Sequence, residues 1–224
     1  MHFKIASVDS IIIYFGDEIN QEVSLKVKKA FTSIIALKDK ALIEIIPSYN
    51  SIFISYDIFK YDFNSLKKML ETSINFDSLE KQEETIITID VYYGKEVGFD
   101  LEEISKKTLL SIEEIISIHS NKLYDVYAIG FLPGFAYLGN VDIRIKMPRL
   151  TSPRKTIPKG SLALADTQTA IYPQDSPGGW NIIGKTAMEL FDKKLSTLSP
   201  LSVGNKVKFN SITKIEFLNQ GGIL

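Results

Sequence analysis

Residues 130–184 read GFLPGFAYLGNVDIRIKMPRLTSPRKTIPKGSLALADTQTAIYPQDSPGGWNIIG, and this stretch decides how the second half of the chain folds. It holds 7 of the 13 glycines and 6 of the 8 prolines. Short apolar runs at 161–164 and 169–172 stand between these turn residues. Frequent breakers with short apolar runs between them mark brief strands joined by tight turns. Outside the stretch, residues 126–129, 187–191 and 207–209 continue the pattern. The combination predicts a compact β-barrel or folded sheet.

The upstream half reads differently. Residues 3–15 form two strands broken at Asp9-Ser10, and residues 19–37 carry Ile19, Val23, Val27, Ala30, Phe31, Ile34 and Ile35 at helical spacing. Strands follow at 42–46 and 52–56 around a turn at 47–50, and a second amphipathic helix runs over 63–76. Strand, helix, strand, strand, helix is the order of a small α+β sandwich. The polar segment LEKQEET at 79–85 is the expected boundary between a first domain, 1–82, and a second, 83–224. Past it, residues 86–93 read as a strand. Asp100 is placed to cap one helix, and Ser111 with Glu114 forms a capping box for the next. The final QGGIL reads as a loose tail.

Composition removes several function classes. The chain has 224 residues, a net charge of −1 and no cysteine. Such a balance supplies no basic field for nucleic acid or an anionic membrane surface. Disulfides, thiolate catalysis and cysteine-ligated metals are excluded, and with only His2 and His119 a multi-histidine metal site is not expected. No run approaches the roughly 20 apolar residues of a membrane span. The opening MHFKIASVDS lacks the layout of a signal peptide, which makes the cytoplasm the expected compartment.

Chemistry concentrates in the quoted stretch. All three arginines, Arg144, Arg149 and Arg154, lie in it, as does the only tryptophan, Trp180, while the other 23 basic residues of the chain are lysine. A guanidinium offers a planar fork that a carboxylate or phosphate can accept from, which an ammonium cannot copy. Arg149 and Arg154 sit on the proline-stiffened PRLTSPR segment and are candidate anion ligands; the plainer reading is that they staple that loop. Pro133-Gly134 fits a type II turn, with Phe131, Phe135 and Tyr137 around it. Pro177-Gly178-Gly179-Trp180 reads as a second Pro-Gly turn with an aromatic. Its glycines would let a ligand approach the backbone, unless both turns merely plug barrel ends. Gln168, Tyr172 and Asp175 can present polar groups or satisfy turns. His119 shares the apolar face of its helix with Ile112, Ile115 and Ile116, so a half-buried structural role competes with that of a base.

Five segments are similar, in order and spacing, to the family of 5-oxoprolinase B subunits, also called the KipI or allophanate hydrolase subunit 1 family. They are GFLPGFAYLG at 130–139, PRLTSPR at 148–154, IPKGSLALA at 157–165, QTAIYP at 168–173 and SPGGWNIIGKT at 176–186. The resemblance implies an α+β chain: a small N-terminal α/β sandwich followed by a C-terminal cyclophilin-like β-barrel. It implies work with the A and C subunits in the ATP-dependent opening of 5-oxoproline to glutamate, with magnesium accompanying ATP, and no activity alone. It also raises two other roles, a KipI-type inhibitor of a sensor histidine kinase and half of a urea-type carboxyltransferase. The chain has no biotin attachment site. An aromatic surface awaiting a partner is expected, with a homodimer as one way to cover it in the isolated chain. The expected ligand-binding residues are Gly130, Phe131, Pro133, Gly134, Phe135, Tyr137, Arg149, Arg154, Gln168, Tyr172, Pro177, Gly178, Gly179 and Trp180. His119 is the catalytic candidate, because the family places a histidine in this helix. Departures from the family pattern are Ala136, Lys159 and Ala170, and they bear on the shape of the pocket.

Overall fold

The computed structural model describes residues 1–18, 20–76, 85–195 and 197–224. Contacts divide the chain into two compact units, Met1–Glu83 and Glu84–Leu224. The boundary segment expected at 79–85 falls almost wholly on residues 77–84, and these, like Ile19, lie outside the described residues.

In the first unit, β1 (His2–Ser7), β2 (Ser10–Tyr14), β3 (Leu42–Ser48) and β4 (Ser51–Tyr56) make an antiparallel sheet in the order β1-β2-β4-β3. The helices are α1 (Gln21–Ala36) and α2 (Phe63–Ser73). Helical spacing puts Val23, Val27, Ala30 and Ile34 of α1 on one stripe, and all four are buried. Period-two alternation does the same for Ile52, Ile54 and Tyr56 of β4. Stripe and sheet face share one core with Ile11, Ile13, Leu66 and Leu70. Asn20 opens α1 by accepting from the Val23 N–H at 2.9 Å, and Asp62 opens α2 through a capping box with Ser65.

The second unit is a closed seven-stranded barrel. Its strands are β5 (Ile86–Tyr92), β6 (Leu123–Ile129), β7 (Ala136–Gly139), β9 (Ser161–Ala165), β10 (Gln168–Ile171), β12 (Asn181–Lys185) and β13 (Lys206–Ile212), in the order β10-β7-β6-β13-β5-β12-β9. Only β5 and β13 are parallel, paired from Lys206↔Ile86 to Ile212↔Tyr92. A separate two-stranded ribbon pairs β8 (Arg154–Ile157) with β11 (Ser176–Gly178). Helices α3 (Leu101–Thr108) and α4 (Ile112–Ser120) add Leu101, Ile104 and Ile115 to the barrel core. The Ser111–Glu114 capping box forms as expected.

The wall made by β9, β10 and β12 is buried on both faces. Leu162, Leu164, Ile171 and Ile183 belong to the barrel core, while Ala163, Ala165, Ala170 and Ile182 belong to a second cluster with Phe135, Ile157, Tyr172 and Trp180. Strand alternation sends these two sets to opposite faces. The small alanines on the outer face leave depth for a layer of rings. Each ring so buried contributes about 1.5–3 kcal/mol, and each ring pair adds about 0.5–1.5 kcal/mol.

Four local expectations need correction. Residues 187–191 are not a strand; Met188 and Leu190 pack onto the barrel core from irregular chain, and the strand of that region is β12. The alternation there reflects burial without ladder pairing. Pro177-Gly178 is not a turn, because residues 176–178 are extended as β11. Asp100 precedes α3 but makes no side-chain cap, since its carboxylate is engaged elsewhere. The tail is also tied down. Thr213 caps α5 (Lys214–Asn219), Gly222 N–H donates to Phe217 O at 2.9 Å, and Lys185 Nζ donates to Ile223 O at 2.7 Å.

Candidate functional site

The Pro133-Gly134 turn forms as expected. Gly134 has φ +82°, and the Phe135 N–H donates to Leu132 O at 3.0 Å. The turn delivers Phe135 to the outer face of the wall, where its ring meets Tyr137, Tyr172 and Trp180 at 4.9, 5.3 and 5.8 Å. Phe135, Tyr172 and Trp180 are buried, so they form a floor; Phe131 is 60% exposed and stands 5.3 Å from Phe135. Burial pushes the Tyr172 hydroxyl up to about 12 and raises that of Tyr137 as well, so both phenols stay neutral.

The glycines of the second segment serve this layer. A Cβ on Gly178 would fall on the Tyr172 hydroxyl and crowd Ile157, so residue 178 must be bare for the ribbon to close over the ring. A Cβ on Gly179 would meet ordinary contacts, Leu150 O at 3.5 Å and Pro153 at 3.6 Å, and one on Gly130 nothing within 4 Å. Pro133 and Pro177 are exposed, and Gln168 lies on β10 opposite Gly139 and Ala165.

The three arginines part company. Arg144 spends its fork on Asp142, with Nε at 2.9 Å and Nη2 at 2.8 Å. Arg154 spends its own on Asp100, with Nη1 at 3.0 Å and Nη2 at 2.8 Å, and the Ile182 N–H donates to the same carboxylate at 2.6 Å. This half-buried pair ties the start of α3 to β8 and β12. Of the two readings of Arg154, the staple is the one this geometry supports. Arg149 makes no ion pair among the described residues; its guanidinium lies 5.7 Å from the Trp180 ring centroid.

His119 sits at the opposite face of the same wall, with no exposure. Thr169 Oγ1 donates to Ala163 O at 2.9 Å, so it accepts from His119 Nε2–H at 3.1 Å, and Nδ1 accepts from the Tyr93 hydroxyl at 2.9 Å. The imidazole stacks on Phe209 at 4.8 Å. Desolvation pulls its pKa down to about 3, which keeps it neutral. Every polar atom of the ring is engaged and no solute reaches it, an arrangement that suits packing rather than proton exchange.

A cavity of about 700 Å³ opens elsewhere in this unit, lined among others by Lys159, Asp175, Lys185, Met188, Glu189 and Ile223. Its charges are largely matched: Lys159 pairs with Glu189 at 2.6 Å, and Asp175 accepts from the Lys159 N–H at 2.7 Å. None of the fourteen expected ligand-binding residues lines it. Among the described residues no group of three His, Asp or Glu could hold a metal ion, and no helix is long and apolar enough to cross a membrane.

Reading the sequence missed two residues that build the site, Asp100 and Asn181. Asn181 is buried, and its Nδ2 donates to Pro148 O at 2.9 Å and Leu164 O at 3.2 Å. A lone amide opening the apolar run Asn181-Ile182-Ile183 was the available signal.

With this geometry in view, residues 1–201 match the family model described as carboxyltransferase domain, subdomain C and D. The chain belongs to that family. A carboxyltransferase-domain relative, the 5-oxoprolinase B subunit from Bacillus subtilis (strain 168), is 39% identical over 220 residues, covering 93% of this chain and 91% of its own. The crystal structure of TTHA0988 superposes with a TM-score of 0.81 at 28% identity, over 91% of this chain; the match spans only 40% of that longer chain. Kluyveromyces lactis urea carboxylase shares the fold alone, with a TM-score of 0.73 at 16% identity over 97% of this chain and 22% of its own.

Proposed function

We propose that this chain is the B component of an ATP-dependent 5-oxoprolinase, inactive alone and completed by A-type and C-type subunits. The observation that carries the reading is the near full-length likeness to the Bacillus subtilis protein of that name. The site is consistent with it. The chain has no cysteine, its interior histidine is sealed, and its open polar group is a guanidinium. Such a chain contributes recognition and shape, and leaves bond-making to its partners.

The reaction is 5-oxoproline, ATP and water to glutamate, ADP and phosphate. Opening an unactivated lactam is unfavourable at neutral pH, so coupling to ATP through an acyl-phosphate or phosphorylated lactam is chemically sensible. ATP with magnesium belongs to the assembled complex in this reading, and the cytoplasm is its compartment. Mixing the purified chain with A-type and C-type subunits should give ATP-dependent glutamate release. Folded subunits that release none in any mixture overturn the reading.

The description of the family model favours a second reading, half of a biotin-dependent carboxyltransferase. It predicts carboxyl transfer from carboxybiotin to a urea-type acceptor, which radiolabelled bicarbonate would detect.

A further inference from the structure

Arg149 differs from the other two arginines in how it is held as well as in what it lacks. The backbone on each side of it is pinned. Pro148 O accepts from Asn181 Nδ2 at 2.9 Å, and the Leu150 N–H donates to Gly179 O at 2.7 Å. Residues 179 and 181 flank Trp180, so the guanidinium and the indole are registered to each other through the main chain. The indole is itself fixed, 5% exposed and wedged by Phe135 and Tyr137 at 5.8 and 6.0 Å. A guanidinium held over a ring by its face keeps its N–H edge for a planar acceptor. The entropy of ordering a long side chain, normally lost on binding, is here largely lost on folding.

Charge and surroundings narrow the ligand. Arg149 is a single positive charge, and Tyr137 beside it is neutral. A polyphosphate of several charges calls for more cations or a metal, and no metal-holding group exists among the described residues. We infer that Arg149 on Trp180 is a receptor for a small monocarboxylate with a flat or apolar body. The inference rests on the proposed function only for the choice of 5-oxoproline as first probe.

Trp180 is the only tryptophan, so its fluorescence reports on this site directly. The full chain would be titrated with 5-oxoproline, benzoate, 2-pyrrolidinone (the lactam without its carboxylate), inorganic phosphate and ATP. A saturable change with 5-oxoproline or benzoate is expected, with none for 2-pyrrolidinone and a weaker one for phosphate and ATP. Arg149→Lys should weaken carboxylate binding at least tenfold while thermal unfolding stays within a degree or two, since a charged hydrogen bond is lost and no buried contact is. No saturable response to either carboxylate overturns the inference, as does equal binding by Arg149→Lys or tighter binding of phosphate or ATP. Carboxylate binding in a chain whose complexes release no glutamate would sink the proposed function and leave this site standing.

Discussion

Inside the wall of β9, β10 and β12, His119 has both ring nitrogens engaged, its proton position defined by Thr169 and its charge suppressed by burial. Outside the same wall, Arg149 lies over Trp180 with its fork unmatched by any described acid. The two regions are one strand thick from each other, yet one is closed chemically and the other open. Their sequence signatures are alike: a rare residue type among apolar neighbours. What separates them is whether the donors and acceptors are used up. Completed hydrogen bonding marks a residue that specifies the fold, and an incomplete, rigidly held group marks one that awaits a ligand.

The largest test of that contrast is His119→Ala. It leaves a cavity and strands the Tyr93 and Thr169 hydroxyls, so urea unfolding should show a loss of about 3–5 kcal/mol. Normal turnover by the folded fraction in the complex should accompany it; lost turnover with little lost stability would reverse the contrast.

The same residue makes a pH prediction. Its native pKa, about 3, lies below the ordinary value of 6.5, so the unfolded chain takes up the proton first on acidification. This part of the stability is fully present above pH 6.5 and is lost as pH falls towards 3, at up to about 1.4 kcal/mol per pH unit. Comparing the pH dependence of unfolding for wild type and His119→Gln cancels the carboxylates common to both. The wild type should lose stability more steeply between about pH 6 and 4.

Asp100→Ala should cost about 2–3 kcal/mol, because it orphans the Arg154 fork and the Ile182 N–H together. Next comes Gly178→Ala, about 1–3 kcal/mol through overpacking against Tyr172. Gly130→Ala, with open space around it, should change stability by less than about 0.5 kcal/mol. Arg149→Gln is the smallest, under about 1 kcal/mol for an exposed cation–π contact. If it destabilised as much as Asp100→Ala, Arg149 would be a staple too, and the contrast would collapse.

Much of this was legible before the structure, for local reasons. Helical stripes in α1 and α2, the Ser111 capping box and the Pro133-Gly134 turn are all set by residues within a few positions of each other. What stayed hidden depends on distant partners. Arg154 looked open because Asp100 lies 54 residues upstream. Gly178 looked like a turn glycine because the ring it makes room for belongs to Tyr172, outside its own strand. Residues 187–191 looked like a strand because burial of Met188 and Leu190 mimics strand alternation without its ladder.

The parallel pairing of β5 with β13 has a kinetic consequence. One of these strands opens the second unit and the other lies 120 positions later, as in Asn210↔Asp90. Until β13 arrives, β5 and β6 are raw edges with no neighbour between them. A nascent chain can form the β9–β10 hairpin early, but it must hold the cylinder open until β13 has been made. Closure over so long a loop is slow, and exposed edges meanwhile invite pairing with other chains. The family match ends at residue 201, short of this strand. A fragment cut there should therefore expose two unpaired edges and aggregate, while the full chain stays monodisperse on sizing.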